Sequence, residues 1–330
     1  MKAAFYERKG PPAEVLQLGE LQIPAPGPGE VLVAVHASGV NPSDTKARGG
    51  ARGNVAMPFA RIVPHQDGAG VIEAVGEGVP ASRIGERVWL YEAQLGRALG
   101  TAAEYVALPA QQAVPLPGSV SFAEGACLGV PALTAHRCVF ADGPVEGRTV
   151  LVTGGAGAVG FYAVQFARLA GARVIATVSS EAQAELVRQA GADVVLNRRD
   201  EDVVAGIARA CGGERAVDRI VEVAFGANLG TNLKVLKPRG VIAAYASDAE
   251  PEPKLPFWPL VALDAAVRFV LVYVMSRQAH EAAIAATTGA LRAGKLRHNV
   301  ARLLPLEEIA EAHRLVEQGA GGKVVVQIRP

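Results

Sequence analysis

A loop of small residues separates an apolar run, residues 149–153, from a stretch of helical period, residues 158–169. The loop carries Gly155, Gly157 and Gly160 in the spacing G-x-G-x-x-G, with Ala158 and Val159 between the last two. In a strand–turn–helix unit the first glycine permits a tight turn, the second lets the backbone approach a pyrophosphate, and the third lets the helix pack close to the sheet. Free N–H groups at the helix start then bind the phosphates. The stretch therefore predicts a dinucleotide site rather than a turn without a ligand.

The residues after the second strand of this unit favour a phosphorylated dinucleotide. That strand, residues 173–178, is followed by Ser179 and Ser180, where an NAD-binding chain would carry an acid for the ribose 2′-OH. Glu181 is close, but Ser180-x-x-Gln183 forms a capping box that places it in the first turn of the next helix. Because no acid is left to repel a 2′-phosphate, the sequence favours NADPH.

Two arginines, Arg198 and Arg199, follow the third strand and are close enough in the chain to reach the same phosphate. Asp200 and Glu201 come next, so a solvated charge run is an equally good interpretation of either arginine alone. The hypothesis of a 2′-phosphate site therefore depends on Ser179 together with Arg198.

Two kinds of local pattern divide the chain of 330 residues, a length that predicts two domains. Residues 1 to about 120 are rich in Gly and Pro and contain short β-type runs. From residue 149 onward, short apolar strands alternate with helical segments, which implies right-handed βαβ units and a parallel sheet. Two helical stretches, near 278–293 and 306–318, and a last strand over 323–328 form a tail that we expect to pack on the first domain.

Composition narrows the classes of partner and compartment. With 33 basic and 32 acidic residues the formal net charge is +1, which disfavours nucleic acid and membrane surfaces as partners. Three cysteines without a C-x-x-C pair do not suggest a disulfide scaffold, and the charged N-terminus is not a secretory signal, so we expect a cytoplasmic protein. The apolar run 267–275 is interrupted by Arg268 and is too short to cross a bilayer, and we interpret it as a buried or interfacial strand.

Five motifs spread over the chain resemble those of one family. They are Gly39–Thr45, Asp67–Gly76, Gly129–Ala135, the glycine loop with Gln165 in its helix, and Leu236–Gly240. On these motifs the chain is similar to the medium-chain dehydrogenase/reductase superfamily, and within it to the zinc-free quinone oxidoreductase branch typified by zeta-crystallin. The resemblance implies an α/β fold with a GroES-like β-rich catalytic domain, residues 1–124 and 277–330, and a Rossmann-type doubly wound parallel sheet, residues 125–276.

The resemblance implies zinc-independent transfer of a hydride from NADPH to quinones or related electron-poor carbonyl or enone acceptors, in a homodimer or homotetramer. In relatives, the segment that matches 268–275 pairs strands across the subunit interface. The residues that the resemblance places at the cofactor are Asn41 and Thr134 at the nicotinamide, Ser179 and Arg198 at the 2′-phosphate, Ser247 along the phosphates or ribose, Val272 and Val274 through their backbone, and Lys323 close to the cofactor cleft.

The chain departs from the family at the substrate pocket. Lys46 and Arg52 stand where relatives tend to carry tyrosines, and we include both, with Asn41 and Thr134, as candidate catalytic residues. They would polarise a carbonyl or pair with an anionic substrate, although surface cations are an equally good interpretation. Gln183 replaces a lysine that is common in relatives, which leaves more of the 2′-phosphate to Arg198.

The zinc ligands of related alcohol dehydrogenases are missing from this sequence. Catalytic zinc needs three protein ligands of Cys, His or Asp/Glu type. Gln66 stands at the histidine position, no cysteine stands near Val130, and the segment of the first cysteine reads Asn41-Pro42-Ser43-Asp44. His65 and Asp67 supply at most two ligands, so we expect no metal.

Two other functions stay open at this point. The first is a zinc-free enone or enoyl-thioester reductase of the same superfamily, in which Lys46 and Arg52 would serve a longer substrate channel. The second is a non-enzymatic NADPH-binding protein, either a crystallin-type structural protein or an RNA-binding one. The near-neutral net charge argues against RNA.

Overall fold

The computed structural model describes residues 1–50 and 56–329 and divides the chain into two compact units. Unit 1 comprises Met1–Val130 and Thr287–Pro330, and unit 2 comprises Pro131–Ala286. The two division points lie within helices Gly129–Phe140 and Arg277–Arg292, somewhat beyond the domain boundaries that the resemblance implies.

The strands in the described ranges follow one another as β1 Lys2–Phe5, β2 Gln17–Glu20, β3 Glu30–Val40, β4 Asp67–Val75, β5 Arg87–Leu90, β6 Tyr105–Pro109, β7 Ala113–Pro115, β8 Thr149–Val152, β9 Arg173–Val178, β10 Val194–Asn197, β11 Val217–Glu222, β12 Leu236–Ala244, β13 Ala266–Phe269, β14 Val300–Pro305 and β15 Lys323–Gln327. The helices are α1 Pro12–Val15, α2 Pro42–Gly49, α3 Phe122–Gly125, α4 Gly129–Phe140, α5 Ala158–Leu169, α6 Glu181–Gln189, α7 Val203–Cys211, α8 Phe225–Val235, α9 Phe257–Ala262, α10 Arg277–Arg292 and α11 Ile309–Glu317. Within those ranges, none of the helices has both the length and the apolar character that a membrane span requires.

Unit 1 is built around the long strand β3. Its sequence EVLVAVHASGV is rich in Val and buried on both faces, as expected of a central strand. The sheet has the order β14-β15-β3-β4-β5-β7, and β6 also pairs with β3. Strand β15 runs antiparallel to β3, with Val324 opposite Val40, so residues from the end of the chain complete the sheet of the first unit.

Unit 2 contains a parallel sheet of six strands in the order β10-β9-β8-β11-β12-β13. This is the doubly wound order, with the switch point between β8 and β11, and it confirms the predicted α/β fold class. Apolar side chains from the strands and from α7 and α8 form the core on one face, including Leu151, Ile175, Ile207, Ile220 and Leu229. The loop after β8 therefore lies at the edge where such sheets bind ligands.

The apolar run 267–275 is only partly a strand, and this corrects its interpretation as one continuous strand. Strand β13 covers Ala266–Phe269 and is followed by a 3-10 turn over Val272–Val274. Among the residues that the structure describes, strand β13 is the edge of the sheet and pairs only with the segment 241–244 of β12. It ends where its partner strand ends, because no further neighbour is present to continue the hydrogen-bond ladder.

Candidate functional site

The glycine loop of unit 2 joins β8 to α5 along a path that has no room for side chains. A Cβ atom on Gly160 would lie 2.3 Å from the carbonyl oxygen of Gly154, and one on Gly155 would lie 2.9 Å from the Cβ of Ala176. Gly157 is the N-cap residue of α5 and has no side chain with which to cap the first turn. The backbone of the first helical turn, which includes Ala158 and Val159, is therefore available to a phosphate.

A buried carboxylate fixes the strand ends beside this loop. Glu222, the last residue of β11, has no exposed surface. It accepts hydrogen bonds from Thr153 Oγ1 at 2.9 Å, Asn228 Nδ2 at 2.9 Å and Asn232 Nδ2 at 2.8 Å. Thr153 in turn accepts one from the Val223 N–H at 3.0 Å, which ties the end of β8 to that of β11. Sequence reasoning missed this network, although an acid at the carboxyl end of an apolar strand was a signal for it.

The residues predicted at the 2′-phosphate lie at the ends of neighbouring strands. Ser179 follows β9, and Arg198 follows β10 and is exposed, with its N–H bonded to the Val178 carbonyl at 3.0 Å. Arg198 also lines a cavity of about 290 Å³, together with Thr153 and Thr177. The structure therefore brings Ser179 and Arg198 to the same edge of the sheet.

The predicted capping box at α6 is only half formed. Ser180 accepts a hydrogen bond from the Gln183 N–H at 3.3 Å, as predicted. The side-chain oxygen Oε1 of Gln183, however, accepts from the N–H and Oγ of Ser179, at 2.9 and 3.0 Å. Gln183 thereby positions Ser179, one of the predicted phosphate ligands.

Three other predicted cofactor residues of unit 2 form hydrogen bonds with neighbouring residues of the same unit. The Ser247 hydroxyl accepts from the Gly226 N–H at 2.9 Å and donates to the Glu250 carbonyl at 2.5 Å. The Val272 carbonyl and the Val274 N–H make hydrogen bonds of the 3-10 turn, with Met275 and Leu271. Thr134 lies buried on α4.

Unit 1 buries an ammonium, a carboxylate and an amide in one cluster. Lys323, at the start of β15, donates from Nζ to Asp67 Oδ2 at 2.7 Å and to Asn41 Oδ1 at 2.6 Å. Asn41 Nδ2 donates to the same Asp67 oxygen at 2.8 Å, and the other Asp67 oxygen accepts from the Val130 N–H at 2.8 Å. All three side chains are at most 2% exposed. The sequence assigned Asn41 and Lys323 to the site but missed Asp67 as the group that joins them.

Burial raises the pKa of two further acidic groups near this cluster, Asp44 and Cys127. Burial, reinforced by the charge of Asp67, raises the pKa of Asp44 to about 7. The Asp44 carboxyl also accepts a hydrogen bond from the Asn41 N–H at 2.8 Å. Burial raises the pKa of the Cys127 thiol to about 12, so the thiol stays protonated and donates to the Ala123 carbonyl at 3.3 Å.

The side chains of this region do not fit a catalytic zinc ion. In residues 1–50 and 56–329, no three His, Cys, Asp or Glu side chains converge on a common point. Asp67 is paired with Lys323, and Gln66 donates to Gln94 Oε1 at 3.1 Å. A catalytic zinc site needs three such ligands and an open coordination position. Here the Asp67 carboxylate is already paired with the Lys323 ammonium.

A chain of hydrogen bonds leads from Arg48 on α2, through His313 on α11, to the carbonyl of Asp67. Arg48 Nε donates to His313 Nδ1 (3.4 Å), and His313 Nε2 lies 2.9 Å from His65 Nε2. His65 Nδ1 lies 2.8 Å from Ser38 Oγ, Ser38 Oγ lies 2.7 Å from Thr101 Oγ1, and Thr101 Oγ1 donates to the Asp67 carbonyl (2.6 Å). Burial lowers the pKa of His313 to about 3 and holds that of His65 well below its ordinary value. Both imidazoles are therefore neutral.

A cavity of about 220 Å³ opens beside α2 within unit 1. Its described lining consists of Tyr6, Lys9, Lys46, Ala47, Gly50, Ala56, Met57, Pro58, Ile62 and Gln94. The structure thus places Lys46, a candidate catalytic residue, on a cavity wall. Arg52, the other cationic candidate, lies outside the described residues.

The chain matches two known families along its length. Residues 27–118 match the alcohol dehydrogenase GroES-like domain, and residues 158–288 match the zinc-binding dehydrogenase family. Human quinone oxidoreductase is 32% identical over 97% of this chain and 95% of its own length. A 2-haloacrylate reductase from a Burkholderia species is 30% identical over 95% and 94%. The structure of Escherichia coli quinone oxidoreductase in complex with NADPH superposes with a TM-score of 0.85 at 25% identity, covering 99% of this chain and all of that one.

Proposed function

Since the chain belongs to the quinone oxidoreductase branch of the medium-chain dehydrogenase/reductase superfamily, we propose that it reduces quinones and related electron-poor acceptors with NADPH, without zinc. NADPH supplies the hydride when bound. The chain holds the cofactor and the acceptor together and steadies the negative charge that develops on the acceptor oxygen. That oxygen can take its proton from water.

The observation that carries the proposal is the buried Lys323–Asp67–Asn41 cluster. A catalytic zinc ion needs three protein ligands, whereas here the Lys323 ammonium neutralises the Asp67 carboxylate at 2.7 Å. The Lys323 ammonium donates to the Asn41 side-chain oxygen, and the Asn41 side-chain nitrogen donates to the Asp67 carboxylate, so both polar atoms of the amide are held in place. Asn41 is thereby a rigid polar group, suited to orient the nicotinamide end of a cofactor.

The glycine loop and the two strand ends beside it support NADPH as the cofactor. Bare backbone at the start of α5 suits the pyrophosphate. Ser179 and Arg198 supply a hydroxyl and a guanidinium at the edge where a 2′-phosphate would lie, and no acid stands between them and the strand end. Thr134, Val272 and Val274 stay as proposed contacts of the nicotinamide, and Ser247 stays as a proposed contact of the phosphates or ribose.

A second candidate acceptor class is the activated alkenes, including enones and enoyl thioesters. Two observations favour it, namely the similarity to a 2-haloacrylate reductase and the presence of Lys46 on the cavity wall in place of a tyrosine. Hydride transfer to the β-carbon of an alkene uses the same cofactor geometry as quinone reduction.

We also propose that the enzyme is a cytoplasmic homodimer or homotetramer. The exposed apolar segment around β13, which matches the subunit interface of relatives, supports self-association.

The test follows NADPH absorbance with 1,4-benzoquinone and 9,10-phenanthrenequinone, with NADH in parallel, before and after dialysis against a zinc chelator. We expect turnover that survives chelation, with kcat/KM for NADPH at least about tenfold that for NADH. Arg198→Gln should narrow this preference by about tenfold, because a charge-assisted hydrogen bond to the 2′-phosphate is lost. Arg173→Gln, at an exposed arginine at the start of β9 and thus at the opposite end of that strand from Ser179, is the matched control.

Two outcomes would contradict the proposal. Loss of activity on chelation, restored by zinc, would refute zinc independence. Tight NADPH binding without turnover of any quinone, enone or enoyl ester would favour a non-enzymatic NADPH-binding protein instead.

A further inference from the structure

The Gln183 side chain engages both hydrogen-bond donors of Ser179. Its Oε1 atom accepts from the Ser179 N–H at 2.9 Å and from the Ser179 hydroxyl at 3.0 Å. The two residues lie on either side of Ser180, the N-cap residue of α6. An amide oxygen has two lone pairs, so these two bonds saturate it. The donors of Ser179 therefore converge on a single oxygen atom.

Two donors that converge on one oxygen atom also suit a phosphate oxygen. Ser179 directly follows β9, at the strand end where a ribose 2′-phosphate would lie. A phosphate oxygen carries negative charge, and N–H and O–H groups bind it more strongly than they bind a neutral amide. The Gln183 amide oxygen thus uses the donors that a phosphate oxygen of NADPH would use.

This contact disfavours only one of the two nicotinamide nucleotides. While the Ser179 hydroxyl donates to Gln183, its oxygen offers lone pairs alone, and these repel a phosphate. NADPH must break both bonds to Gln183 before it can use the Ser179 donors. The ribose 2′-OH of NADH carries no charge and leaves both bonds intact.

The acid nearest to Ser179 in the chain is bound elsewhere. Glu181, in the first turn of α6, accepts a hydrogen bond from Arg188 Nη1 at 2.7 Å. Its charge is therefore paired with a residue near the other end of the helix. Gln183 is the side chain that contacts both Ser179 donors, so discrimination at this strand end depends on it.

Building on the proposed function, we propose that Gln183 sets how strongly the enzyme discriminates between NADPH and NADH, by competing with the 2′-phosphate for the donors of Ser179. The amide oxygen binds these donors in the free protein and is displaced when the phosphate binds. Arg198 adds a charge that NADH does not use, so a preference for NADPH remains. That preference is smaller than Ser179 and Arg198 would give without Gln183.

The opposite role for Gln183 is that of a direct phosphate ligand. Its Nε2 group would then donate to the 2′-phosphate in place of the lysine that is common in relatives. The contacts favour competition, because they engage both Ser179 donors and leave the hydroxyl with lone pairs alone. The two roles predict changes of opposite sign when the side chain is removed.

The test compares two ligands that differ in the 2′-phosphate, adenosine 2′,5′-bisphosphate and 5′-AMP, by titration calorimetry. Neither carries a nicotinamide, so the measurement does not depend on turnover. We expect Gln183→Ala to bind the bisphosphate about tenfold more tightly than the wild type and to bind 5′-AMP equally well. Gln189→Ala removes an exposed side-chain amide from the last position of the same helix and should leave both Kd values unchanged.

The variant Ser179→Ala tests whether the effect passes through the Ser179 hydroxyl. In that background Gln183→Ala should improve bisphosphate binding by only about threefold, because the backbone N–H is the single donor left to release. With 1,4-benzoquinone as acceptor, Gln183→Ala alone should lower KM for NADPH about tenfold, with kcat and the KM for NADH unchanged.

Weaker bisphosphate binding by Gln183→Ala would identify a direct phosphate ligand, and unchanged binding would show that Gln183 has no role in discrimination. Either result would overturn the inference and leave the proposed reductase function standing. An undiminished tenfold gain in the Ser179→Ala background would overturn it as well. A chain that binds both ligands as expected but reduces no acceptor would refute the proposed function and leave the inference intact.

Discussion

The Lys323 ammonium is 2% exposed, and the Asp67 carboxylate beside it has no solvent contact. Removing two such ions from water costs several kcal/mol each, and their attraction offsets this only when further hydrogen bonds satisfy both groups. Asp67 meets that condition through Asn41 and the Val130 N–H. Loss of either ion would leave the other buried and uncompensated, so we expect the pair to dominate the local stability of unit 1.

Lys323→Met should lower the free energy of unfolding by about 3–5 kcal/mol, because it leaves the buried Asp67 charge unpaired. The double variant Lys323→Met/Asp67→Asn removes both charges and should recover a large part of the loss. Denaturant unfolding followed by the fluorescence of Trp89, which is fully buried in unit 1, measures both.

The matched control is Lys2→Met, which breaks the exposed ion pair with Glu307 and should cost less than about 1 kcal/mol. If the double variant proved as unstable as Lys323→Met alone, packing rather than charge would explain the loss.

For single residues, the sequence predicts roles that follow from a short motif but does not predict contacts between residues far apart in the chain. The G-x-G-x-x-G spacing of Gly155, Gly157 and Gly160 is a local pattern that the sequence displays, although Ala176 on β9 also limits the space at Gly155. The contact between Lys323 and Asp67 joins residues 256 positions apart, so no local pattern contains it. Family resemblance identified Lys323 as a site residue, but only the structure shows that its ammonium is held by Asp67 and Asn41.

Elements of unit 1 are joined by the hydrogen-bond chain through His65 and His313. The chain links Arg48 on α2, His313 on α11 and Ser38 on β3. Because Arg48 only donates, His313 must accept at Nδ1 and donate at Nε2, and His65 must then donate to Ser38. His65 adopts a left-handed backbone conformation, with φ of 82°, which supports its fixed place in this chain. A proton added to either imidazole would face another donor.

Acidification should therefore weaken unit 1 through His313. Its pKa is lowered to about 3 in the folded protein, against about 6.5 when unfolded, so the unfolded chain binds the proton first as the pH falls. The stabilisation is complete above pH 6.5 and is lost between about pH 6.5 and 3. From pH 7 to 5.5 the wild type should lose about 1.3 kcal/mol more than His313→Gln, measured by denaturant unfolding.

Asp44 changes the free energy of unfolding with pH in the opposite direction to His313, and for this reason the wild type is compared with His313→Gln. Its pKa is raised to about 7, so its contribution is present at low pH and is lost as the pH rises towards 7. This contribution is common to the wild type and the variant and cancels in their difference. Equal pH dependence of the two proteins would show that the imidazole of His313 is not held neutral.

Element prediction from the sequence succeeded where a segment has neighbours on both sides. The apolar run 149–153 and the helical period of 158–169 correspond to β8 and α5, which pack within the sheet and against it. The sequence predicts a buried or interfacial strand over 267–275, but only the part up to Phe269 forms a strand, and that strand lies at the edge of the sheet. An apolar run in the sequence does not show whether its side chains pack inside the chain or lie exposed at the edge of a sheet.

The whole molecule exposes large apolar side chains mainly along one segment of unit 2. Phe257, Trp258, Phe269 and Val274 are each more than 60% exposed. Phe269 also lines a cavity of about 410 Å³ with Leu255 and Leu271, and the rings of Phe257 and Trp258 pack edge to face. Strand β13, at the edge of the sheet, lies within the same segment and leaves backbone groups without a partner strand.

Such a surface fits a two-fold contact with a second copy of the chain. Around a two-fold axis each β13 can pair with its copy, so that one segment supplies both halves of the interface. Aromatic groups such as Trp258 would become buried there, and large apolar patches on soluble proteins mark contact surfaces. Net charge and composition gave no indication of where this surface lies, because they are sums over the chain.

Trp258→Glu should therefore lower the assembly state. A buried aromatic anchor contributes about 2–4 kcal/mol to such an interface, so replacement by a charge should weaken association by roughly 30- to 1,000-fold. Light scattering coupled to size-exclusion chromatography, at several micromolar concentrations, should show a homodimer or homotetramer for the wild type and dissociation for Trp258→Glu. Ile84→Glu, at an exposed apolar residue of unit 1, should keep the wild-type mass. A monomeric wild type, or dissociation caused by Ile84→Glu alone, would show that the segment around β13 is not the interface.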